Sequence, residues 1–295
     1  MFSYRHAFHA GNHADVLKHT VLIAVLRHLM QKEASIQYTD THAGAGLYRL
    51  DGDYAEKSGE AAEGVLKVIQ AKQALTSPTL LDYLEMVNSF NSTGKTRVYP
   101  GSPFIIHQLL RHDSRDRLKL YELHPTDHKA LVGNVAQLEA GRAIQIKSED
   151  GFEALKALLP PPLSSSGSRR ACVLMDPSYE LKSDYARVLD SVQDSLKRFA
   201  TGTYLVWYPV IPRTEAHDLP RKLKLLCQPI KKPWLNATFA IGRATGGDDN
   251  GLSASGMFVV NPPHTLKGQL QAALPELEQI LGRGPGQGFV VESGG

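Results

Sequence analysis

The amino-acid sequence predicts an α/β protein, with a mostly parallel sheet that carries helices on both faces and has an antiparallel edge. Short apolar or β-branched runs alternate with helical segments along most of the 295 residues, and this alternation is typical of parallel sheets. Two runs near the end, at about 237–243 and 256–260, follow one another without a helix between them. Such a pair can form an antiparallel hairpin at the edge of the sheet.

The individual elements are predicted from the spacing of their apolar residues. Residues 14–32 have apolar side chains at helical spacing, with an acid near the start and a lysine at the end, and predict a long helix. Strands of the parallel part are predicted at 35–39, 118–123, 143–147, 171–175 and 203–208. Further helices are predicted at 126–139, 183–200, 213–227 and 266–282.

The chain is expected to form a single domain over residues 1–295 with one insertion. Residues 50–110 are mostly helical in pattern and separate the first two strands, so we expect a small inserted helical subdomain there. Residues 283–295 are rich in glycine and are interpreted as a tail. The length suits one large α/β domain.

The composition argues against several classes of protein. No apolar run reaches the roughly 18 residues needed to span a bilayer, and the first residues lack the apolar core of a secretory signal. The two cysteines, Cys172 and Cys227, lie in apolar surroundings and are too few for a disulfide framework. We therefore expect a reduced, cytoplasmic protein with no membrane partner.

Cationic residues are clustered, although the net charge is only +3 and the pI is about 8.7. One cluster contains Arg111, Arg115 and Arg117, and another lies within residues 221–232. A mildly basic chain is compatible with nucleic-acid binding but does not require it. Both clusters are candidates for contacts with phosphates, and solvated helix faces are the simpler alternative.

Acids and glycines at strand ends mark a candidate binding site, because ligands of parallel sheets bind at the carboxyl ends of the strands. The first strand leads into residues 40–46, with the sequence Asp-Thr-His-Ala-Gly-Ala-Gly. A dinucleotide fingerprint would place a third glycine near Arg49, and its absence favours S-adenosylmethionine over NAD. Glu122 ends the second strand, where an acid can accept hydrogen bonds from ribose hydroxyls. Asp150, followed by Gly151, ends the third strand and can hold an adenine amino group, although Asp-Gly is also a turn signal.

The tetrapeptide Asp176-Pro177-Ser178-Tyr179 directly follows the apolar strand at 171–175. An exocyclic base amine is a poor nucleophile, so its methylation needs alignment and hydrogen bonds that localise the nitrogen lone pair. The carboxylate of Asp176 and the carbonyl of Pro177 can accept those bonds, and Tyr179 can stack on the base. The tetrapeptide therefore predicts a methyltransferase site for a nucleobase amine, with an ordinary turn as the alternative.

The N-terminal segment is rich in histidine. His6, His9, His13 and His19 lie near Asp15, but their spacing matches no standard zinc motif, so no metal is expected. Most of these histidines are expected to have a structural role. The segment could also cover the cofactor pocket and contact RNA through its first residues.

Four motifs together resemble those of the RlmJ family, whose members are bacterial 23S ribosomal RNA adenine-N6 methyltransferases. They are YRHAFHAGNHADVLKH at 4–19, DTHAGAG at 40–46, YPGSP at 99–103 and DPSYE at 176–180. The resemblance implies a Rossmann-like, S-adenosylmethionine-dependent methyltransferase fold with a helical subdomain inserted after the first strand. It also implies a monomer that acts on one adenine of protein-free or early 23S rRNA.

The resemblance also assigns site residues. It implies contacts with S-adenosylmethionine from His19, His42, Ser102, Glu122, Asp150, Gly151 and Asp176. It implies that Asp176 is the catalytic residue and that Tyr4 contacts the RNA. His6 and Lys18, from the same N-terminal motif, are further candidates for the lining of the pocket.

One residue departs from the motif of the family, which is usually Asp-Pro-Pro-Tyr. Ser178 replaces the second proline, and because the accepting carbonyl belongs to Pro177, we expect the chemistry to be retained and the rate to be affected. Other functions stay open, each with its own signature. A DNA adenine methyltransferase would differ in its acceptor, an NAD-dependent oxidoreductase would bind NAD, and a non-catalytic RNA-binding protein would show a steep salt dependence without cofactor affinity.

Overall fold

The structure, a computed structural model, describes residues 6–51, 59–91, 94–111, 113–243 and 251–295. The strands are β1 (Gln37–Asp40), β2 (Leu47–Arg49), β3 (Val98–Pro100), β4 (Arg117–Tyr121), β5 (Ile144–Lys147), β6 (Ala171–Met175), β7 (Thr203–Pro209), β8 (Trp234–Ile241), β9 (Ala254–Val260) and β10 (Gln287–Gly294). The helices are α1 (His13–Leu29), α2 (Val65–Gln70), α3 (Pro78–Ser89), α4 (Ser102–Leu109), α5 (Pro125–Ala136), α6 (Gly151–Leu158), α7 (Ser183–Arg198), α8 (Thr214–Cys227) and α9 (Leu266–Leu281).

Eight of these strands form one sheet in the spatial order β10-β8-β9-β7-β6-β1-β4-β5. The five from β7 to β5 run parallel, and β9, β8 and β10 each pair antiparallel. The order of the parallel strands is that of a doubly wound sheet. The predicted mostly parallel sheet with an antiparallel edge is therefore confirmed. In register, Asp40 of β1 lies beside Leu120 of β4 and Leu174 of β6, so the chain leaves all three strands at one edge.

Helices cover both faces of the sheet. On one face α6, α7 and α8 pack in an apolar cluster with β6 and β7. On the other face α1 packs against α3, α4, α9 and β9. Every residue of α1 from His13 to Leu26 is buried, including the polar residues Asp15, Lys18 and His19. Among the described residues, no helix has both the length and the apolar character needed to cross a bilayer.

The segment between β1 and β4 contains helices α2, α3 and α4, as the helical pattern of 50–110 predicts. It also contains a small antiparallel sheet of β2 and β3, in which Tyr48 lies opposite Tyr99. Each of these strands has three residues, too few to show the period of two that identifies a strand in sequence. The delimitation of 50–110 as a subdomain stays a prediction, since α4 also packs against β1 and β4.

The Gly-rich segment interpreted as a tail contains β10, which the sequence pattern did not indicate. Strand β10 pairs with β8 along its whole length, and Phe289 and Val291 pack against the core. Glycines at 288 and 294 weaken the strand pattern, because glycine has low β-propensity. The strand is therefore stabilised by its pairing and packing rather than by local preference.

Arg111, one residue of a proposed phosphate-binding cluster, has a structural role. The guanidinium of Arg111 donates to Asp116 and to the carbonyls of Met30, Lys32 and Ala34. These contacts hold the turn after α1, and the side chain of Asp116 is fully buried. The cluster lies where β4 begins, at the opposite edge of the sheet from the strand ends that carry the candidate site. The donors of Arg111 are thus used within the protein, and its contact with RNA stays a prediction.

Replacing Arg111 by alanine is expected to lower the free energy of unfolding by about 3 kcal/mol, because it leaves the carboxylate of Asp116 buried without its cation. Urea denaturation followed by circular dichroism measures the change. Arg117→Ala is the matched control, since within the described residues its side chain donates only to nearby backbone carbonyls, and it should change stability by less than about 0.5 kcal/mol. Equal stability of the two variants would contradict the structural role of Arg111.

Candidate active site

A cavity of about 390 Å³ lies where the chain leaves β1, β4 and β6. Its position is the topological switch point of the sheet, where doubly wound proteins bind their ligands. The lining includes predicted site residues from separate parts of the chain: His19, His42, Ser102, Glu122, Gly151, Asp176 and Pro177. It also includes His6 and Lys18 from the N-terminal segment. We call this space the larger cavity.

Glu122 connects the glycine-containing loop at residues 40–46 to the end of β4. Its carboxylate accepts hydrogen bonds from the backbone N–H of Gly44, at 2.8 Å, and of His124, at 2.7 Å. Burial raises the pKa of Glu122, while these two N–H groups oppose the increase. Gly151 permits a close backbone contact in the same wall, because a Cβ atom there would lie 2.1 Å from the carbonyl oxygen of Thr41.

The end of β1 places a second carboxyl group beneath the cavity. The hydroxyl of Ser102 donates to Asp40 at 2.6 Å, and burial raises the pKa of Asp40 to about 6. His42 lies beside it, with Nδ1 2.8 Å from the hydroxyl of Thr41. Burial lowers the pKa of His42 to about 4, so its imidazole is neutral at pH 7. The cavity therefore offers neutral and anionic polar groups within a buried wall.

Asp176 belongs to a line of alternating charges that begins in the N-terminal segment. Lys18 donates to Asp176 at 2.6 Å and lies 2.8 Å from Asp15. Asp15 in turn lies 3.1 Å from Nε2 of His6 and accepts the backbone N–H of Gly11. Burial alone would lower the pKa of Lys18, but the carboxylates of Asp15 and Asp176 outweigh it and raise that pKa. We call Asp15, Lys18 and Asp176 the charged line.

A second cavity of about 210 Å³ adjoins the first. The two share His6, Lys18, Asp176 and Ser178 in their linings. The other walls of this smaller cavity are largely aromatic and apolar, and include Tyr179, Trp207, Pro209, Ile211 and Leu252. Asp176 and Ser178 therefore stand at the junction between a polar cavity and an apolar one.

Tyr179 has a backbone conformation that bulky residues rarely adopt, with φ at +54°. Three contacts hold it there. Its hydroxyl donates to the carbonyl of Trp207 at 2.6 Å, its own carbonyl accepts from Arg213 at 3.0 Å, and its ring packs against Tyr185. The side chain is buried, and part of it lines the smaller cavity.

Comparison with known proteins identifies the family. A family model described as "Ribosomal RNA large subunit methyltransferase D, RlmJ" matches residues 33–291. The chain belongs to this family. The resemblance to the RlmJ family is thus confirmed over most of the chain, and the matched range contains the motifs at 40–46, 99–103 and 176–180.

Relatives in the same family cover nearly the whole chain. Ribosomal RNA large subunit methyltransferase J of Escherichia coli (strain K12) is 41% identical over 284 residues, which are 95% of this chain and 94% of that protein. The protein of the same name from Haemophilus influenzae is 42% identical over 282 residues, with the same coverage of both chains. A crystal structure of a protein from Legionella pneumophila superposes with a TM-score of 0.82, at 30% identity, over 97% of this chain and 98% of that one.

The residues that the RlmJ resemblance assigns do not all line the larger cavity. Asp150 caps the N-terminus of α6 by accepting from the backbone N–H of Phe152, and its other oxygen pairs with Arg187. Burial alone would raise the pKa of Asp150, but these contacts together outweigh it and lower that pKa. Gly151, the next residue, lines the larger cavity. Tyr4 lies outside the described residues.

The N-terminal histidines have separate partners. His9 contacts Glu60 at 2.9 Å, His6 contacts Asp15 and His19 contacts Tyr99. In the part of the chain that the structure describes, no group of three or more histidine, cysteine or acidic side chains is arranged to hold a metal ion. The structure thus gives each of these three histidines a contact with another part of the protein.

Two features of the site were not found by sequence analysis. Arg187, on α7, lies beside the larger cavity with its guanidinium over the ring of Phe152, and nothing in its helical sequence distinguishes it from a surface arginine. The pairing of Asp15 with Lys18 did leave a signal. An acid and a lysine three residues apart within an otherwise apolar helix indicate a buried pair.

Replacing Lys18 by methionine is expected to lower the free energy of unfolding by about 3 kcal/mol, because Asp15 then stays buried without its cation. Chemical denaturation measures the loss. The double variant Lys18→Met with Asp15→Asn should be more stable than Lys18→Met alone, since both charges are removed together. Lys67→Met serves as the control for an exposed pair with Glu63, and should cost no more than about 1 kcal/mol. A double variant less stable than Lys18→Met would contradict the pairing.

Proposed function

We propose that this protein transfers a methyl group from S-adenosylmethionine to the N6 amine of a specific adenine in 23S rRNA. The observation that carries the proposal is the junction of the two cavities at Asp176. A polar cavity fit for a nucleoside cofactor meets there a smaller cavity fit for a planar base. The family and the names of its relatives support ribosomal RNA as the acceptor.

The larger cavity fits S-adenosylmethionine in size and in chemistry. Its volume lies within the range of roughly 300–1,000 Å³ that is usual for small-molecule sites. The carboxylate of Glu122 suits ribose hydroxyls, and the wall near Gly151 suits an adenine ring. The Nε2 atom of His19 is buried and has no hydrogen-bond partner among the described residues, so a polar ligand group is needed beside it. His42, Ser102 and Asp176 complete the proposed contacts.

The smaller cavity fits the adenine that receives the methyl group. Its aromatic and apolar walls, with Tyr179 and Trp207, suit a base that has left its stack. Lys18 holds one oxygen of Asp176, which leaves the other oxygen to accept a hydrogen bond from the amine. The carbonyl of Pro177 is proposed as the second acceptor. Both bonds localise the lone pair of the amine nitrogen and aim it toward the larger cavity.

The chemistry of the transfer needs little else from the protein. S-adenosylmethionine would supply a methyl group from its positively charged sulfur and leave as the neutral thioether S-adenosylhomocysteine. The product amine carries that methyl group in place of one proton. Asp176, at the junction, can accept the released proton and pass it to solvent. The charged line fixes the position of Asp176, since Lys18 is itself held by Asp15 inside α1.

The proposed RNA partner is 23S rRNA, free of protein or at an early stage of assembly, and the enzyme is proposed to act as a monomer in the cytoplasm. The target adenine must be unpaired or turned out of its helix to enter the smaller cavity. His6 and His9 of the N-terminal segment line the smaller cavity. Tyr4, which precedes them, is the proposed contact with RNA.

Asp176→Asn is expected to lower the rate of methyl transfer to 23S rRNA by about 10²- to 10⁴-fold, because the amide cannot accept the amine proton. Transfer of labelled methyl from saturating S-adenosylmethionine measures the rate, and mass spectrometry of the digested RNA identifies N6-methyladenine. Ser178→Ala, also at the junction, is the matched control and should keep most of the activity. Loss of label in both variants to the same extent would argue against a catalytic role for Asp176.

The acceptor is tested in the same assay. Ribosomal RNA stripped of protein should be labelled by the wild-type protein, and duplex DNA with the same sequence should not. Label in DNA alone would identify a DNA adenine methyltransferase instead. Binding of RNA without any transfer of label, and without affinity for S-adenosylmethionine in calorimetry, would overturn the enzymatic proposal.

A further inference from the structure

Two buried tyrosines stand behind His19 and continue its hydrogen bonding away from the larger cavity. The hydroxyl of Tyr99 lies 2.8 Å from Nδ1 of His19, and the hydroxyl of Tyr83 lies 3.2 Å from that of Tyr99. Both tyrosines are fully buried and His19 is 1% exposed. Tyr83 is on α3 and Tyr99 on β3, so both come from the segment between β1 and β4. We call these two residues the tyrosine pair.

The other ring nitrogen of His19, Nε2, lacks such a partner. Nε2 is buried, and no atom of the described residues is within hydrogen-bonding distance and geometry. The residue lines the larger cavity, so a ligand there is the natural partner of Nε2. Burial lowers the pKa of His19 to about 3, and a neutral imidazole carries a single N–H, on one nitrogen or the other.

The number of protons in the tyrosine pair decides which nitrogen carries that N–H. If Nδ1 were protonated, it would donate to Tyr99, Tyr99 would donate to Tyr83, and the proton of Tyr83 would have no acceptor among the described residues. If Nδ1 is unprotonated, Tyr83 donates to Tyr99 and Tyr99 donates to Nδ1, so each hydroxyl proton has an acceptor. A buried donor without an acceptor costs about 1–3 kcal/mol. In the first arrangement that donor is enclosed with the tyrosine pair, whereas in the second it is the N–H on Nε2 of His19, a residue that lines the larger cavity, where water or a ligand can accept it. The second arrangement is therefore favoured.

We propose that Tyr83 and Tyr99 are positioning residues that hold His19 as the tautomer protonated on Nε2, and that this N–H donates to the carboxylate of S-adenosylmethionine. The inference rests on the function proposed above. Of the polar groups of that molecule, the carboxylate is an acceptor with a full negative charge, whereas the ammonium is only a donor. The N-terminus of α4, at Gly101 and Ser102, lines the same cavity and favours negative charge.

The tautomer of His19 is measured by NMR on protein with nitrogen-labelled histidine, without any ligand, and His19→Gln assigns its signals. We expect Nε2 to carry the proton in the wild-type protein at every pH from 5 to 8. Tyr99→Phe should give a mixture of tautomers, and Tyr83→Phe should have a smaller effect, because Tyr99 can still donate to Nδ1. Tyr38→Phe is the matched control, since its buried hydroxyl has no partner among the described residues.

Calorimetry with S-adenosylmethionine tests the ligand assigned to Nε2. We expect Tyr99→Phe to weaken binding about tenfold, which corresponds to the loss of one hydrogen bond to a charged group, and Tyr38→Phe to leave it unchanged. The effect of Tyr99→Phe should disappear with decarboxylated S-adenosylmethionine, which keeps the sulfonium and the amine but lacks the carboxylate. An equal effect on both ligands would overturn the assignment to the carboxylate.

The outcomes separate this inference from the proposed function. Protonation of Nδ1 in the wild-type protein, or a Tyr99→Phe variant with the wild-type tautomer and affinity, overturns the positioning role, even where the wild-type protein methylates 23S rRNA. A wild-type protein that binds no S-adenosylmethionine overturns the proposed function and, with it, the ligand of Nε2.

Discussion

The contact between the ammonium of Lys18 and its two carboxylates is the interaction on which the candidate site depends. It joins the buried helix α1 to the end of β6, and so relates the N-terminal segment to the residue proposed for catalysis. A buried cation needs both geometry and charge from its partners. The position of Asp176 therefore follows that of α1, which is fixed by apolar packing against α3, α4 and α9. Side chains remote from the cavity thus contribute to the placement of its central carboxylate.

Much of the fold of this protein can be predicted from sequence, because local patterns of apolar and turn residues determine most of its strands and helices. The bounds of β6, at Ala171–Met175, agree with prediction since an unbroken apolar run ends in an acid and a proline. The residues that follow β1 and β4 indicate in the same way the edge of the sheet at which the candidate site lies. What local pattern does not indicate is structure created by pairing. Strand β10 contains glycines and depends on β8, and β2 and β3 are too short for their alternation to be seen.

The site is predicted less completely, because its decisive contacts join residues far apart in the chain. Lys18 and Asp176 are separated by 158 positions, and no periodicity relates them. A cluster of arginines in sequence also does not indicate where each side chain points. Arg111 was therefore predicted only as a phosphate contact, whereas in the structure it holds a turn through backbone carbonyls. Strand-end acids are easier to place, since the topology of a parallel sheet decides where they meet.

The complete burial of α1 has a consequence for how the protein acquires its structure. The partners that cover this first helix include β9 and α9, which begin at Ala254 and Leu266. During synthesis α1 and its buried charges therefore cannot be covered until most of the chain has emerged. Contacts of such long sequence separation also form slowly. We expect N-terminal fragments to expose an apolar helix and to aggregate, so that the cavities come into being only with the nearly complete polypeptide.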